Sequence, residues 1–548
     1  MMYLIWMTWQ QENAPQQISQ QSGEQFSEQA EKNNNQNSED IPEASITKDF
    51  NQEDIELKQE TGAASKTQKI QIKTDVLNII IDTRGGDIRQ LDLPTYPVSL
   101  DKQDQPFRLL YSDNRTYIAQ SGLRHDKIKG KQSSGSLAPT HYDIYTSEKS
   151  KYVMRDGEDK LDVKLTWSGD KNITVEKIFT FYRDSFVFDI THRVINNGST
   201  TWVGRQYQQL RHSPIPEGRS WMRLPTYTGT AYFDGAYHKH SFDDVGKEPL
   251  SINVNGGWVA MLQHYFVSAW APNEDEETRF YSKSVKSSGE QQYLIGILSQ
   301  AKTVHPSSSG EFTRRLYAGP KLQHRMENVA NGLDLSVDYG MFSILSKPLF
   351  WLLEWFHKLV GNWGLAIILV TVVVKLVFYK LSEASYKSMA RMRKVQPKFQ
   401  LLRERYADDK SKLNKAVMEM YKKEKINPLG GCLPILVQMP VFLALYWVLV
   451  ESVELRQAPF IFWIQDLSIR DPIFVLPLLM GISMYIQFKL NPTPPDPMQA
   501  KIFAMMPIMM TAFMAFFPAG LVLYWLMNNV LSITQQYVIT KRIENSNN

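Results

Sequence analysis

The chain lacks the residues from which disulfide-stabilised and metal-binding proteins are built. Its 548 residues include one cysteine, Cys432, so no internal disulfide can form. The ten histidines are scattered, and the closest pair, His238 and His240, stands in a turn-rich stretch. Structural zinc sites need several cysteine or histidine ligands at short spacing. We therefore expect no metal centre and no dependence on disulfides.

Long apolar runs are missing from the first part of the chain. Up to about residue 340 the sequence is polar and rich in turn signals, whereas apolar segments and short polar joints alternate after it. A chain of this length exceeds one ordinary domain. The change in character predicts a polar part and a membrane part.

The first residues are apolar but few. Residues 1–9 read MMYLIWMTW, about half of the ~20 residues that a membrane-spanning helix needs. They also lack the basic start and cleavage site of a signal peptide. We expect a partial anchor whose natural start lies upstream of Met1. Residues 10–67 are rich in Gln, Asn, Ser and Glu, which predicts a disordered linker.

Residues 68–340 carry the pattern of short strands. In DVKLTW, residues 162–167, every second residue is apolar, and SFVFDITHRV, residues 185–194, has a similar alternation. Gly85-Gly86 marks a turn. Many short strands with little helical periodicity predict a large antiparallel β-sandwich.

Helical segments follow the strands. Residues 343–360 have an apolar face at helical spacing with two added tryptophans, which is typical of a helix lying in the membrane surface. The apolar runs predict five spans, at about 361–381, 430–451, 472–489, 502–517 and 519–538.

A basic segment separates the first two spans. Between residues 380 and 427 there are 14 Lys/Arg and 6 Asp/Glu, whereas the whole chain has a net charge of only +4. Apolar residues recur there every three or four positions, which predicts a helical hairpin over 382–427. By the positive-inside rule this hairpin is cytoplasmic. Counting spans then puts the β-rich part outside and the tail, 539–548, inside.

One lysine interrupts the first apolar run. Lys375 lies ~16 Å down the axis from Gly364, in the inner half of the span. A charge at the centre of a bilayer costs about 2.5 to 3.5 kcal/mol on insertion scales. Two interpretations stay open: the side chain reaches the cytoplasmic interface, or it faces a water-filled cavity.

Other spans hold polar residues as well. Thr371 lies one turn from Lys375 on the same face, and Gln438 stands in the middle of the second span. The last span has a polar side, made of Tyr524, Asn528, Asn529, Ser532, Gln535 and Gln536. Single residues of this kind often join helices. Together they favour a polar groove open to one side.

Several longer stretches resemble one family. They are GGWVAMLQHYFVSAWAP (256–272), GNWGLAIILVT (361–371), NPLGGCLPILVQMPVFLALY (427–446), VELRQAPF (453–460), DPMQAKI (496–502) and FPAGLVLYW (517–525). In this order they resemble the YidC/Oxa/Alb membrane protein insertases, in their Gram-negative form. The resemblance covers nearly the whole chain beyond the linker.

The resemblance implies a multi-pass inner-membrane insertase with a five-helix core, whose periplasmic domain is a β-sandwich resembling galactose mutarotase. It implies nascent membrane proteins, the Sec translocon and the lipid bilayer as partners, and the ribosome through basic cytoplasmic loops. It implies no enzyme activity, no cofactor, no metal and no DNA partner. The groove positions that it implies are Lys375, Thr371, Gln438, Met439, Phe442, Tyr524, Trp525 and Ser532.

The chain departs from the family pattern at two groove positions. Lys375 stands where the family usually has arginine, which keeps the charge but loses the planar fork of donors. Trp525 stands where a second tyrosine is expected. The tail KRIENSNN is short and weakly basic.

Two other functions remain as alternatives. A secondary transporter would use Lys375 in its substrate site, but no duplicated halves with paired broken helices are visible. A sugar-converting enzyme would need a histidine with a carboxylate base, and neither His192 nor His212 has an identifiable partner in the sequence.

Overall fold

The computed structural model describes residues 40–42, 67–126, 137–214, 226–287, 289–406, 409–423, 433–491 and 497–545. The predicted anchor, nearly all of the predicted linker and Cys432 lie outside these ranges. Residues 42–548 belong to one compact unit, in which all the elements below lie.

The polar part of the chain is made of strands. In chain order they are β1 (Lys69–Lys73), β2 (Asn78–Asp82), β3 (Asp87–Pro97), β4 (Pro106–Leu110), β5 (Tyr117–His125), β6 (Thr146–Ser147), β7 (Lys151–Val153), β8 (Lys160–Ser168), β9 (Ile173–Tyr182), β10 (Val187–Asn196), β11 (Trp202–His212), β12 (Gly229–Phe233), β13 (Tyr237–His240), β14 (Ser251–Asn255), β15 (Trp258–Leu262), β16 (Phe266–Ala271), β17 (Glu277–Ser287), β18 (Glu290–Leu298), β19 (Lys302–Val304) and β20 (Ser308–Pro320).

These strands form two sheets, which confirms the predicted sandwich. The first has 11 strands in the order β14-β17-β18-β11-β5-β3-β2-β1-β7, with β4 beside β3 and β19 beside β11. The second has 9 strands in the order β13-β12-β15-β16-β20-β10-β9-β8-β6. Of the strand pairs in the described ranges, β1 and β7 are parallel and the others are antiparallel.

The alternation in the sequence coincides with burial between the sheets. On β8 the side chains of Val163 and Leu165 are buried and their neighbours are not. On β10 every second residue from Phe188 to Asn196 is buried. Because successive side chains on a strand point to opposite faces, this period of two puts one row into the core.

A buried lysine links the two sheets. Lys177 lies on the inward face of β9, and its Nζ donates to the carbonyl oxygens of Gly85 at 2.8 Å and Ser121 at 2.9 Å. Burial lowers the pKa of Lys177 to about 8. Gly85 is in the predicted Gly-Gly turn with φ of 72°, and a Cβ there would lie 2.4 Å from the carbonyl oxygen of His141. The lysine therefore fixes the β2–β3 turn and β5 against the second sheet.

The described ranges also contain ten α-helices. They are α1 (Phe242–Lys247), α2 (Gln323–Glu327), α3 (Ser343–Val360), α4 (Trp363–Val377), α5 (Tyr379–Arg405), α6 (Lys410–Lys423), α7 (Leu433–Glu451), α8 (Val475–Leu490), α9 (Pro497–Met514) and α10 (Ala519–Asn545).

The first predicted span is broken. Helix α4 ends at Val377, and α5 continues at an angle of 67° to it. Phe378 stands at the break with φ of −91° and ψ of 12°, and no glycine or proline accompanies it. The first helix of the predicted hairpin consequently begins at Tyr379 rather than 382. Helix α9 begins and ends earlier than the predicted fourth span, and α10 runs beyond the predicted end of the fifth.

The apolar helices α4, α8 and α9 are short relative to a bilayer, with 15, 16 and 18 residues. In the described ranges no single helix has the length and hydropathy of a span, but Trp363–Val377 with Tyr379–Arg393 meets that test as a bent pair. The shorter apolar helices are Val437–Glu451, Val475–Leu490 and Ala500–Met514.

Helix α3 has the bounds predicted for the interfacial helix. Its Ser346, Phe350 and Leu353 are buried, and the Ser346 hydroxyl donates to the Ala444 carbonyl of α7 at 3.0 Å. Trp351 and Trp355 are exposed. Gly361 ends the helix with φ of 66°, and the Asn362 side chain then accepts from the Leu365 N–H at 3.0 Å to begin α4. One side of α3 thus packs on the core and leaves tryptophans exposed on another.

Arg456 is one of the residues that hold the sandwich to the helices. Arg456, in the loop after α7, donates to the carbonyl oxygens of Pro97 at 2.6 Å and Val98 at 3.1 Å. Its guanidinium carbon lies 5.9 Å from the Phe107 ring centroid and 5.8 Å from that of Phe266. The guanidinium therefore combines charge-assisted hydrogen bonds with cation–π contacts at the end of β3.

We expect Arg456→Ala to loosen the sandwich from the helical core, because hydrogen bonds to charged groups contribute about 1.5 to 3 kcal/mol. Spin labels placed on β9 and α3 should show a broader distance distribution by double electron–electron resonance. Arg470→Ala, in the same loop at an exposed position, is the control and should leave the distribution unchanged. An unchanged distribution in Arg456→Ala would contradict this role.

Candidate functional site

The ammonium of Lys375 is the centre of a polar cluster between helices. Lys375 lies in the last turn of α4, and its side chain is almost wholly buried, with 7% of the residue exposed. Its Nζ donates to Ser532 Oγ of α10 at 2.6 Å and to Gln438 Oε1 of α7 at 3.3 Å. A cation at the C-terminal end of a helix is stabilised by the helix dipole. Three helices therefore contribute to holding one charge.

A second set of contacts orients these partners. Gln438 Nε2 donates to the side-chain oxygen of Asn528, and Ser532 Oγ donates to the Asn528 carbonyl at 2.7 Å. Gln535 Nε2 donates to the Lys375 carbonyl at 3.4 Å. Residues 528, 532 and 535 share a face of α10 because helix neighbours recur every three or four residues. We call Lys375, Gln438, Asn528 and Ser532 the polar cluster.

The polar side of α10 extends to α5 and α8. Tyr386 Oη donates to the Ser532 carbonyl at 3.3 Å. Asn529 Nδ2 donates to Ser483 Oγ at 3.1 Å, and Gln536 Nε2 donates to the Leu490 carbonyl at 3.0 Å. The polar cluster and its surroundings thus form a hydrogen-bond network that joins five helices, α4, α5, α7, α8 and α10.

No carboxylate of a described residue neutralises the charge. In the described ranges Lys375 forms no ion pair, and its hydrogen-bond partners are an amide and a hydroxyl. Other lysines do have such partners: Lys347 lies 3.0 Å from Asp334, and Lys387 lies 2.6 Å from Glu383. Among the described residues, the charge of Lys375 is therefore solvated by neutral dipoles.

The structure brings together most of the residues expected in a groove. Phe442 lies between Tyr524 and Trp525, with ring centroids 6.0 Å and 4.7 Å away. Phe442, Trp525 and Met439 are half-buried, as is Gln438. These aromatic rings form an apolar wall one to two turns of α7 and α10 away from the polar cluster.

Two of the expected residues are hidden. Thr371 is fully buried, and its hydroxyl donates to the Ile367 carbonyl of its own helix at 2.7 Å. Tyr524 is also buried. Thr371 and Tyr524 are therefore buried beneath the groove residues and do not line a surface in this conformation.

Sequence reasoning missed Tyr386 and Ser483. Tyr386 lies in the segment predicted as a cytoplasmic hairpin, and only the bend after α4 brings it beside α10. Ser483 is a lone hydroxyl in an apolar helix. A search for every polar residue within the apolar runs would have found Ser483, whereas no local signal points to Tyr386.

Two family descriptions cover the chain. The family described as the YidC periplasmic domain matches residues 69–352, and the one described as the 60Kd inner membrane protein matches residues 355–546. The Thioalkalivibrio sulfidiphilus protein named membrane protein insertase YidC is 50% identical over 544 residues, which cover 99% of this chain and 96% of that protein. A Methylococcus capsulatus protein of the same name is 48% identical over 494 residues, covering 90% and 89%.

Solved structures were compared as well. The crystal structure titled as an active YidC insertase with its first transmembrane domain resolved aligns with a TM-score of 0.39 at 17% identity, covering 86% of this chain and 93% of that one. A galactose mutarotase-like protein from Lactobacillus casei aligns with a TM-score of 0.30 at 10% identity, covering 46% and 99%.

We expect Ser532→Ala to destabilise the helical part, since it leaves the buried ammonium with one fewer acceptor. The loss should be about 1 to 3 kcal/mol, measured as unfolding in detergent micelles. In a Lys375→Met background the same substitution should cost less, because no charge then needs the hydroxyl. Thr534→Ala removes a hydroxyl that bonds only within α10 and is the control. Equal losses from Ser532→Ala in both backgrounds would refute the coupling.

Proposed function

The chain belongs to the YidC family of membrane protein insertases, and on that premise we propose that its polar cluster receives the segments that it inserts. As a member of this family it is an insertase of the inner membrane with a periplasmic domain, and its partners are nascent membrane proteins and the lipid bilayer. The observation that supports the polar cluster as the receiving site is the charge of Lys375, whose hydrogen-bond partners among the described residues are neutral groups.

An unneutralised cation attracts acidic groups that approach it. In low-dielectric surroundings the Coulomb attraction between unit charges is several times stronger than in bulk water. An acidic residue of an incoming segment would gain this attraction at Lys375 and lose part of its cost of entering the membrane. The cation would thereby draw a short translocated segment partway across.

Water in the groove would lower the free-energy cost of placing a charged lysine within the membrane. In pure hydrocarbon the charge would cost about 2.5 to 3.5 kcal/mol on insertion scales. Hydroxyl and amide groups beside a hydrated space lower that cost and leave the charge accessible. We propose that Gln438, Met439, Phe442 and Trp525 line the route, with Thr371 and Tyr524 behind them.

The membrane topology follows from charge. We propose a multi-pass arrangement with five spans within 361–538 and a cytoplasmic C-terminus. The basic segment over residues 380–427 would be cytoplasmic by the positive-inside rule, and the strand-rich domain would then lie on the opposite side. Helices α5 and α6 each have a charged face and an apolar face, which suits a hairpin that captures substrate segments.

Two further partners are proposals of the same kind. The Sec translocon is expected from the family resemblance. The ribosome is expected at the basic cytoplasmic loops, where RNA phosphates would find lysine and arginine side chains.

We infer that the groove acts by binding and not by bond chemistry. The polar groups around Lys375 are hydroxyls and amides, and no histidine or carboxylate contacts it within the described ranges. A secondary transporter is not favoured, because the relatives that match the chain over its length are insertases.

A hydrated groove should admit a water-soluble thiol reagent. With Cys432 replaced by serine, a cysteine at Gln438 should react with an impermeant maleimide added from the cytoplasmic side. A cysteine at Ile482, which is 49% exposed on the apolar helix α8, is the control and should stay unreactive because lipid surrounds it. An unreactive Gln438→Cys in folded protein would favour a lysine that reaches the interface outside any groove.

Charge reversal should discriminate between substrates. Lys375→Arg should keep insertion, whereas Lys375→Glu should slow substrates with acidic translocated tails at least several-fold more than substrates with neutral tails. Lys358→Glu makes the same charge change at an exposed position of α3, outside both the groove and the proposed hairpin, and is the control. Reconstituted vesicles with matched substrate pairs give the rates. Equal slowing of both substrates would remove charge attraction as the mechanism.

A further inference from the structure

A cavity of about 420 Å³ opens on the outer face of the first sheet. It crosses the neighbouring strands β18, β11, β5 and β3, through Gln292, Arg211, Gln120 and Arg89. On β5, Tyr117 points inward, since its hydroxyl donates to the Met261 carbonyl of the second sheet. Gln120 is therefore on the opposite, outward face, because side chains alternate along a strand.

Arginines dominate the lining of this cavity. Arg84, Arg89, Arg115 and Arg211 face it, against the two carboxylates of Asp113 and Glu290. Asp113 is already engaged, with its carboxylate 3.0 Å from Arg108.

Two of these arginines have no acidic partner in the part of the chain that the structure describes. Arg115 donates to the Pro214 carbonyl at 2.8 Å, and neither it nor Arg84 forms an ion pair within the described ranges. Surface cations of this kind can engage a carboxylate in a bidentate manner.

The floor of the cavity is built and held in place. Gln120 Nε2 donates to Asp87 Oδ2 at 2.8 Å, and Gln209 Nε2 donates to Gln120 Oε1 at 3.1 Å. Tyr281 Oη donates to Gln209 Oε1 at 2.9 Å. The buried Nε of Arg89 has no acceptor within the described ranges. The Nη2 of Arg89 is already paired with Asp87 Oδ2 at 3.2 Å, so the floor is a preorganised polar surface.

A second cavity of about 410 Å³ continues the same surface. It shares Arg84, Arg89 and Asp113 with the first and adds Lys69 of β1 and Asp82 of β2. The cation-lined surface therefore runs from β18 to β1, across six neighbouring strands. At about 4.8 Å between strands this is ~24 Å, the length of about seven residues of extended chain. We call this surface, with Lys69, Arg84, Arg89, Arg115 and Arg211, the arginine groove.

We propose that the arginine groove binds acidic stretches of polypeptide, in particular the translocated segments of proteins that the chain inserts. This rests on the proposed function, which puts the strand-rich domain on the side where such segments emerge. Translocated segments are poor in lysine and arginine, so their carboxylates lack neighbouring cations. The groove offers cations and amides where an apolar chaperone surface would offer hydrophobic side chains.

Binding of a labelled peptide to the purified full-length chain in detergent tests the proposal. The probe is a ten-residue peptide rich in Asp and Glu, and its partner has Asn and Gln at the same positions. The acidic peptide should bind and the neutral one should not, and 0.5 M salt should weaken binding, because screening acts on exposed charges. Arg84→Glu/Arg115→Glu should lower the affinity at least tenfold, and Arg84→Gln/Arg115→Gln should lower it less.

Lys102→Glu/Lys171→Glu makes the same charge change at exposed positions of this domain and should leave the affinity within twofold. Lys375→Glu should keep peptide binding while insertion is impaired, so the two proposals can fail separately. The proposal is overturned if the acidic peptide binds the Arg84→Glu/Arg115→Glu protein as well as the unchanged chain. It is also overturned if inorganic phosphate binds at the groove and the acidic peptide does not.

Discussion

A single buried ammonium sets the organisation of the helical core. Lys375 is enclosed by apolar helices, and a charge there is tolerated only where dipoles replace its water. Ser532 and Gln438 supply them, and Asn528 holds both in orientation. Part of the polar side of α10 serves this charge, whereas Asn529 and Gln536 bond to α8. Removing any one of these side chains would leave its hydrogen-bond partner without that bond.

The bend after α4 belongs to the same arrangement. It ends the helix within a turn of Lys375, so the ammonium lies where the helix dipole favours a cation. It also turns α5 so that Tyr386 donates to the Ser532 carbonyl. Tyr386 thereby connects α5, the first helix of the predicted hairpin, with Ser532 of the polar cluster.

Arg456 and Gln457 are among the residues that attach the strand-rich domain, and Gln457 Nε2 donates to the Pro97 carbonyl at 3.0 Å. Arg456 reaches two carbonyls at the end of β3, and β3 also contributes Arg89 to the arginine groove. From Arg89 to Pro97 this strand spans ~26 Å, so the groove stands away from the attachment. The chain therefore has cations at two separate sites. One is Lys375 among the helices, and the other is the arginine groove on the first sheet.

Local patterns in the sequence determined much of this protein. Alternation at 162–167 and 185–194 predicted the sandwich, helical spacing predicted α3 with its bounds, and a lysine in an apolar run identified Lys375 with Gln438 and Ser532 as its polar companions. The family resemblance supplied the function. The tertiary structure alone decided the break at Phe378, which has neither glycine nor proline, the contact of Tyr386, and the convergence of Arg84 and Arg115. Those features depend on which distant segments pack together, and packing energies are summed over contacts that no local pattern encodes.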